Sequence, residues 1–326
     1  VNATCRLPPP PRGTQVCPLA MDTLTFVDVD GVVNVAICNG VRPALLLCDA
    51  NTKLARERDA RGSRSRNNAS MLAAAERFPE AVCHGGLHCA DPLVRRLADI
   101  LQVAGPASVV LSSNWRRPKH SARLRHLQER ISAHLGEAFA FDARTEEVRE
   151  VCGQDRLRSI GAYVRGHYAK REASPGGDRP RALRVMVLDD FFAGALDGWA
   201  CDGWCMHGPE DVEAYVRRCA PEGADVRVKL LHCFRHWETD DGVIVRAGTG
   251  LSQSHVDEAE AFFAGKPVGL VKDSRGSRTT APEVSAPERA PDCKSPGTLS
   301  RLHAAKTWAA AWAGLLSAFP LGCLLV

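Results

Sequence analysis

The sequence predicts a layered α/β fold on a mostly parallel sheet, and two observations carry that expectation. Three short Val- and Leu-rich runs, from Leu24 to Val29, "SVVL" (108–111) and "LRVMVL" (183–188), each stop abruptly at polar residues. Strands buried on both faces of a parallel sheet read this way. Amphipathic helical patterns fill the spaces between and after them, and strand–helix alternation marks this class.

Composition agrees with a globular chain. Of 326 residues, 45% are hydrophobic and 25% charged, with a formal net charge of +4. That balance does not call for nucleic-acid binding through bulk charge, although a local basic patch could still act. The 13 cysteines are odd in number and irregularly spaced, which reads as reduced thiols rather than a disulfide framework. With no basic-then-apolar leader, a cytoplasmic or nuclear location is expected, and the Asn2 and Asn68 glycosylation triplets are read as chance.

Along the chain, residues 1–20 are Pro-rich and aperiodic and predict an unfolded lead, with Met21 as the expected start. The first strand follows within a domain expected over residues 21–265. A basic flexible insertion is expected at about 50–72. Its core, 53–70, holds Lys53, Arg56, Arg58, Arg61, Arg64 and Arg66 against Glu57 and Asp59, with almost no apolar side chains. It reads as a solvated loop, with a substrate-attracting flap or small cap as the sharper alternative. "DPLVRRLADILQVAG" predicts a helix with Asp91 as N-cap, Pro92 at its first position and Gly105 as its stop. "SARLRHLQERISAHLG" and "DRLRSIGAYVRGHY" predict two more helices before the third strand, and "PEDVEAYVRRC" one after it. Residues 266–300 read as a low-complexity linker. The uncharged stretch from Trp308 to Val326 just reaches the roughly 20 apolar residues of a membrane span, so 301–326 is expected to be a hydrophobic helix and a candidate tail anchor.

The chemistry stands at the strand ends, where open parallel sheets build their sites. The first strand ends in "DVDG" with Asp28 and Asp30, the second in "SSNWRR" with Ser112, Ser113 and Arg116, the third in Asp189 and Asp190. Two acids one residue apart share a face if the strand continues through them. A turn after a strand would also use Asp-Gly. Each signal alone is weak, and their joint occurrence at three strand ends is specific.

Together, "FVDVDGVVN", "VVLSSNWR" and "VMVLDD" resemble the first, second and fourth motifs of the haloacid dehalogenase superfamily of phosphohydrolases. The nearest resemblance is to the domain of this type in Swiss-Army-knife RNA-repair proteins, which pairs a "DxDGVxN" start with an "LSSxWR" second strand. "TDDGVIVRAGTGLSQSHVDEAEAFF" resembles that group's closing segment, so the resemblance spans roughly 22–264. It implies a three-layer Rossmann-like fold and a Mg²⁺-dependent phosphatase working through an aspartyl-phosphate, and the sequence shows no stretch that reads as a large cap. The implied substrate is phosphorylated, with nucleic-acid ends or nucleotides as candidates. Asp28 would be the nucleophile and Asp30 the proton donor and acceptor. Ser112 and Ser113, with Arg116, would hold phosphate. Mg²⁺ would be held by Asp28, by Asp30 through its backbone carbonyl, and by Asp189 or Asp190, the two not being ranked. The third motif departs from the family: its usual lysine is missing, and Arg156 is the implied substitute, with Arg158 and Lys170 as fallbacks. Arginine stays charged and grips phosphate bidentately.

Competing readings remain at this stage. A glycosyltransferase could use a DxD, but not normally on the first strand. A non-catalytic module of the same fold would suit the missing lysine. "CHGGLHC" (83–89) and "CDGWCMH" (201–207) place Cys and His at distances a zinc ion could use, yet neither has paired C-x-x-C spacing. Trp115 reads as structural and Asn114 is left open.

Overall fold

The computed structural model describes residues 21–38, 44–63, 65–146, 153–173, 182–191, 199–201, 204–206 and 208–266. The chain divides into two units, Val1–Val271 and Lys272–Val326, and every described residue belongs to the first. The expected lead, nearly all of the linker and the Trp308–Val326 segment lie outside the described residues. Among those described, no helix is long and apolar enough to cross a membrane.

The central layer is a five-stranded, all-parallel sheet. Its strands are β1 (Asp22–Val27), β4 (Ser108–Leu111), β5 (Ala143–Arg144), β6 (Leu183–Asp189) and β9 (Val226–His232), in the order β5-β4-β1-β6-β9. The chain starts in the middle, builds outward on one side and returns to build on the other. In open parallel sheets a reversal of this kind marks where sites form, at the carboxyl ends of the inner strands. Alternation along β1 sends Leu24 and Phe26 to one face and Val27 to the other, so each face acquires a core of its own.

Helices cover both faces, which makes three layers. On one side, α3 (Asp91–Ala104), α4 (Ser121–Leu135) and α7 (Gln253–Phe263) bury Leu93, Leu97, Leu127, Ile131 and Val256. On the other, α5 (Gly153–Glu172) and α6 (Pro209–Arg218) bury Leu157, Ile160, Val164, Val212 and Val216. Burial of such side chains contributes roughly 1.5–3 kcal/mol each. The four helices expected from periodicity are therefore present. The cap of α3 differs by one residue: Ala90 is the N-cap, and Asp91 instead pairs with Arg130 and His134 of α4.

The insertion is not the expected solvated loop. Residues Asp49–Ala60 form α1 and Arg66–Arg77 form α2. Lys, Arg, Glu and Ala are strong helix formers, and their charge density disguises that propensity. Ser65 caps α2 by accepting from the Asn68 N–H at 3.2 Å. The apolar face that anchors α2, Met71 and Ala74, begins just past the most basic stretch.

A second sheet was not expected at all. It has the order β10-β11-β2-β3, from β10 (Phe234–Glu238), β11 (Ile244–Gly248), β2 (Ala36–Ile37) and β3 (Leu45–Leu46), all antiparallel. It joins the segment just after β1 to one about 200 residues later, and through Gly248 opposite Ala36 it brings β11 against the end of β1. A small hairpin, β7 (Trp199–Cys201) with β8 (Trp204–Met206), precedes α6.

Candidate functional site

Register puts the three strand ends at one level. Val27 stands opposite both Leu111 of β4 and Leu188 of β6, so the next residues are Asp28, Ser112 and Asp189. The Asp28 N–H donates to the Leu188 carbonyl at 2.9 Å, and the Ser112 N–H to the Val27 carbonyl at 2.8 Å. All three side chains are buried, and Asp190 beside them is buried too. The carboxylates of Asp28, Asp189 and Asp190 offer oxygens within 4.8 Å of one another. Both acids of the third strand thus join the cluster.

Glycines make room for it. A side chain on Gly248 would put its Cβ 2.6 Å from Asp190 Oδ2, and one on Gly31 would collide with the same carboxylate. Gly31 also has φ near +81°, the left-handed conformation that turns the chain sharply after Asp30. The carbonyls of Gly31 and Val32 accept from Gly250 and Leu251 at 2.9 Å each, so the "GTGL" segment pins this turn.

Among the described residues, one cation stands among the three acids. Arg156, in the first turn of α5, donates from Nη1 to Asp28 Oδ2 and to Asp189 Oδ1, the latter at 2.8 Å, and lies 3.7 Å from Asp190 Oδ1. A single guanidinium does not neutralise three buried carboxylates. Burial pushes Asp28 well above the usual carboxylate range; Arg156 opposes this, and Asp189, Asp190 and Asp30 add to it. Asp189 is raised by burial against the pull of Arg156 and of the Phe191 N–H. Asp190 is pushed up to about 7 by burial and by its neighbour Asp189. A cation supplied here would hold all three ionised.

Asp28 and Asp30 do not share an environment, contrary to the shared-face expectation. The strand ends at Val27, Asp28 is buried, and Asp30 is exposed beyond it. Both oxygens of Asp30 are held: Oδ1 accepts from Asn34 Nδ2 at 3.0 Å and Oδ2 from the Trp115 indole Nε1 at 3.1 Å. Asn34 is itself locked, accepting from the Gly31 N–H at 2.8 Å and donating to the His88 carbonyl at 2.8 Å. Trp115 is buried against His120, stacked at 6.3 Å, and His88, edge-on at 6.3 Å.

The remaining predicted residues divide. Ser112 Oγ is buried with no hydrogen-bond partner among the described residues, which leaves it available to an incoming oxygen. Ser113 Oγ instead accepts from the Trp115 N–H at 3.3 Å and caps a short 3₁₀ turn. Arg116 is buried and braces that turn, donating to the Ser113 carbonyl at 2.8 Å. Arg158 pairs with Asp155 at 3.2 Å. Lys170 lies in the last turn of α5, roughly 20 Å along the helix from Arg156. Of the three candidates for the missing lysine, Arg156 is therefore the one at the carboxylates. Cys83 and Cys89 are buried thiols, and among the described residues they build no metal-ligand group; the side chains of the 201–207 motif lie outside those described.

Sequence reasoning missed four contributors. Asn34 closes the "DGVVN" motif and is the carboxylate's anchor. Trp115, read as structural, also donates to Asp30. Gly248 makes room. His232, level with Asp189 on β9, donates from Nε2 to the Phe191 carbonyl at 2.9 Å and supports the turn after β6. "DGVVN" and "SSNW" carried the first two signals; the last two have no local signature.

The donor set fits a hard divalent cation: three clustered carboxylates, with Asp189 Oδ2 buried and unpartnered among the described residues. The carboxylate of Asp30 stands outside that set, committed to Asn34 and Trp115. Comparison of the chain with protein-family models, with curated proteins and with solved structures returned no match.

Proposed function

We propose that this protein is a Mg²⁺-dependent phosphomonoester hydrolase of the haloacid dehalogenase type, working through an aspartyl-phosphate. One observation carries the reading: a buried carboxylate at the central strand end clusters with two further acids and an arginine, and an unpartnered serine hydroxyl stands at the same level of the neighbouring strand. In this reading Asp28 attacks phosphorus, a bond forms from its carboxylate oxygen, and the bond from phosphorus to the leaving oxygen breaks. The Val29 N–H donates to Asp28 Oδ1 at 2.8 Å and keeps the carboxylate oriented. Asp30 gives its proton to the leaving oxygen, then takes one from the water that hydrolyses the acyl phosphate. Ser112 Oγ donates to a phosphate oxygen, and Arg156 offsets charge on the transferring group. Bound Mg²⁺ supplies the positive charge that lets a carboxylate approach a phosphate dianion.

The test is hydrolysis of p-nitrophenyl phosphate with Mg²⁺, with chelator, and in Asp28→Asn. Activity should require Mg²⁺ and fall by at least about 10³-fold in the variant, as removal of a nucleophile does. Activity that survives Asp28→Asn overturns the mechanism. Absence of turnover across a broad panel of phosphomonoesters favours a non-catalytic module of the same architecture.

A further inference from the structure

Resting on that reading, we propose that the rim formed by His88, His120, Lys119 and Arg123 is a leaving-group subsite that takes a leaving group bearing an anion of its own, such as a second phosphate. The side of the site is set by Asp30. A proton donor must stand beside the oxygen that departs, so whatever surrounds Asp30 away from Asp28 surrounds the leaving group. Trp115 is the link: its indole nitrogen holds Asp30 at 3.1 Å, its ring stacks on His120 at 21° between planes, and His88 meets it edge-on at 83°. The two imidazoles are half-buried while the indole is buried beneath them.

Apart from Asp30 itself, the charged groups that act on these imidazoles among the described residues are cations: Arg123 on both, and Lys119 and Arg117 on His120. Burial and these cations hold both imidazoles below their usual value, so at neutral pH they are uncharged rings that can stack or hydrogen-bond. Neither Lys119 nor Arg123 forms an ion pair with a described acid. The interior of the site carries an excess of carboxylates, which repels anionic substrate. A cationic, ring-lined rim on the leaving-group side offsets that repulsion where the substrate enters. A small neutral leaving group would use none of it, whereas one that carries a phosphate of its own would present it to these cations.

The experiment compares adenosine 3′-phosphate, adenosine 3′,5′-bisphosphate and a 3′-phosphorylated oligonucleotide, with ³¹P NMR identifying the phosphate removed. In the wild-type protein, kcat/KM for removal of the 3′-phosphate should be about tenfold higher for a substrate with the second phosphate, the worth of one charge-assisted contact. That ratio should fall toward one in Arg123→Glu and in Lys119→Glu. It should hold in Arg227→Glu, an exposed charge near the amino end of β9, away from the strand ends. A preference shared by the bisphosphate and the oligonucleotide, or shown by one of them, supports the subsite and says whether the anion comes from a small molecule or a polymer. A ratio near one in the wild type, or one unmoved by both reversals, overturns it. Lack of Mg²⁺-dependent hydrolysis of p-nitrophenyl phosphate would overturn instead the phosphatase reading on which it rests.

Discussion

The indole Nε1 of Trp115 donates to Asp30 Oδ2 at 3.1 Å, across 85 residues of sequence, while Asn34 holds the other oxygen at 3.0 Å. A proton donor with both oxygens held has one orientation, and a donor with one released has several. Trp115→Phe keeps the buried ring and removes the N–H. Loss of a hydrogen bond of this kind costs about 0.5–1.5 kcal/mol. The expected result is a loss of several-fold to about tenfold in kcat/KM for alkyl phosphates, whose leaving oxygen needs the proton. For p-nitrophenyl phosphate the loss should be much smaller. Equal losses on both substrates would show that Trp115 is only packing.

Arg156→Met should destabilise the metal-free fold. It leaves three buried carboxylates without their cation, and breaking a buried pair on one side costs about 3–5 kcal/mol. Denaturant unfolding should show a deficit that is larger at pH 8 than at pH 5, where the acids can take up protons, and that Mg²⁺ partly restores. A variant as stable as the wild type at pH 8 would mean that Arg156 does not neutralise the cluster.

Asp190 gives stability a pH dependence whose sign is set by its raised value. It is protonated up to about 7 in the folded protein and ionised above the ordinary carboxylate range in the unfolded chain. Between those limits the folded state binds more protons, so this group's contribution is present at low pH and lost as pH rises toward 7, by up to about 1.4 kcal/mol per unit. Without metal, the melting temperature should fall from pH 5 to pH 7. Asp190→Asn should flatten that fall, and an unchanged slope in the variant would assign the proton to another group.

Gly248→Ala tests the space around Asp190. The new Cβ would press on that carboxylate and on Gly31, and overpacking of this kind costs about 1–3 kcal/mol. Mg²⁺ binding, followed by calorimetry on the folded variant, should weaken by tenfold or more as Asp190 is displaced. Unaltered affinity would remove Asp190 from the donor set.

Much of this site was legible because parallel strands announce themselves locally. Val- and Leu-rich runs ending in Asp28, Ser112 and Asp189 needed no partner to be read, and the sheet order alone brings their ends together. The insertion was misread because composition reports charge more loudly than helix propensity: Lys53, Glu57 and Arg58 solvate one face of α1, while Thr52 and Ala55 are buried on the other. The second sheet was illegible for a different reason. β2 and β3 are two residues long, and their partner β11 lies about 200 residues away, so no window of sequence contains the pairing.

The sequence by itself determined which chemical groups stand at the ends of which strands, because apolar periodicity and its abrupt ending are properties of contiguous residues. Tertiary structure decided how those groups differ. Asp28 and Asp30 are alike in sequence, yet one is buried against Asp189, Asp190 and Arg156 and the other is held at the rim by Asn34 and Trp115. That division depends on the Gly31 turn, on the close approach of Gly248, and on which arginine of α5 docks at the strand ends. Each of these is a contact between distant segments, and charge, burial and orientation at a site are set by such contacts.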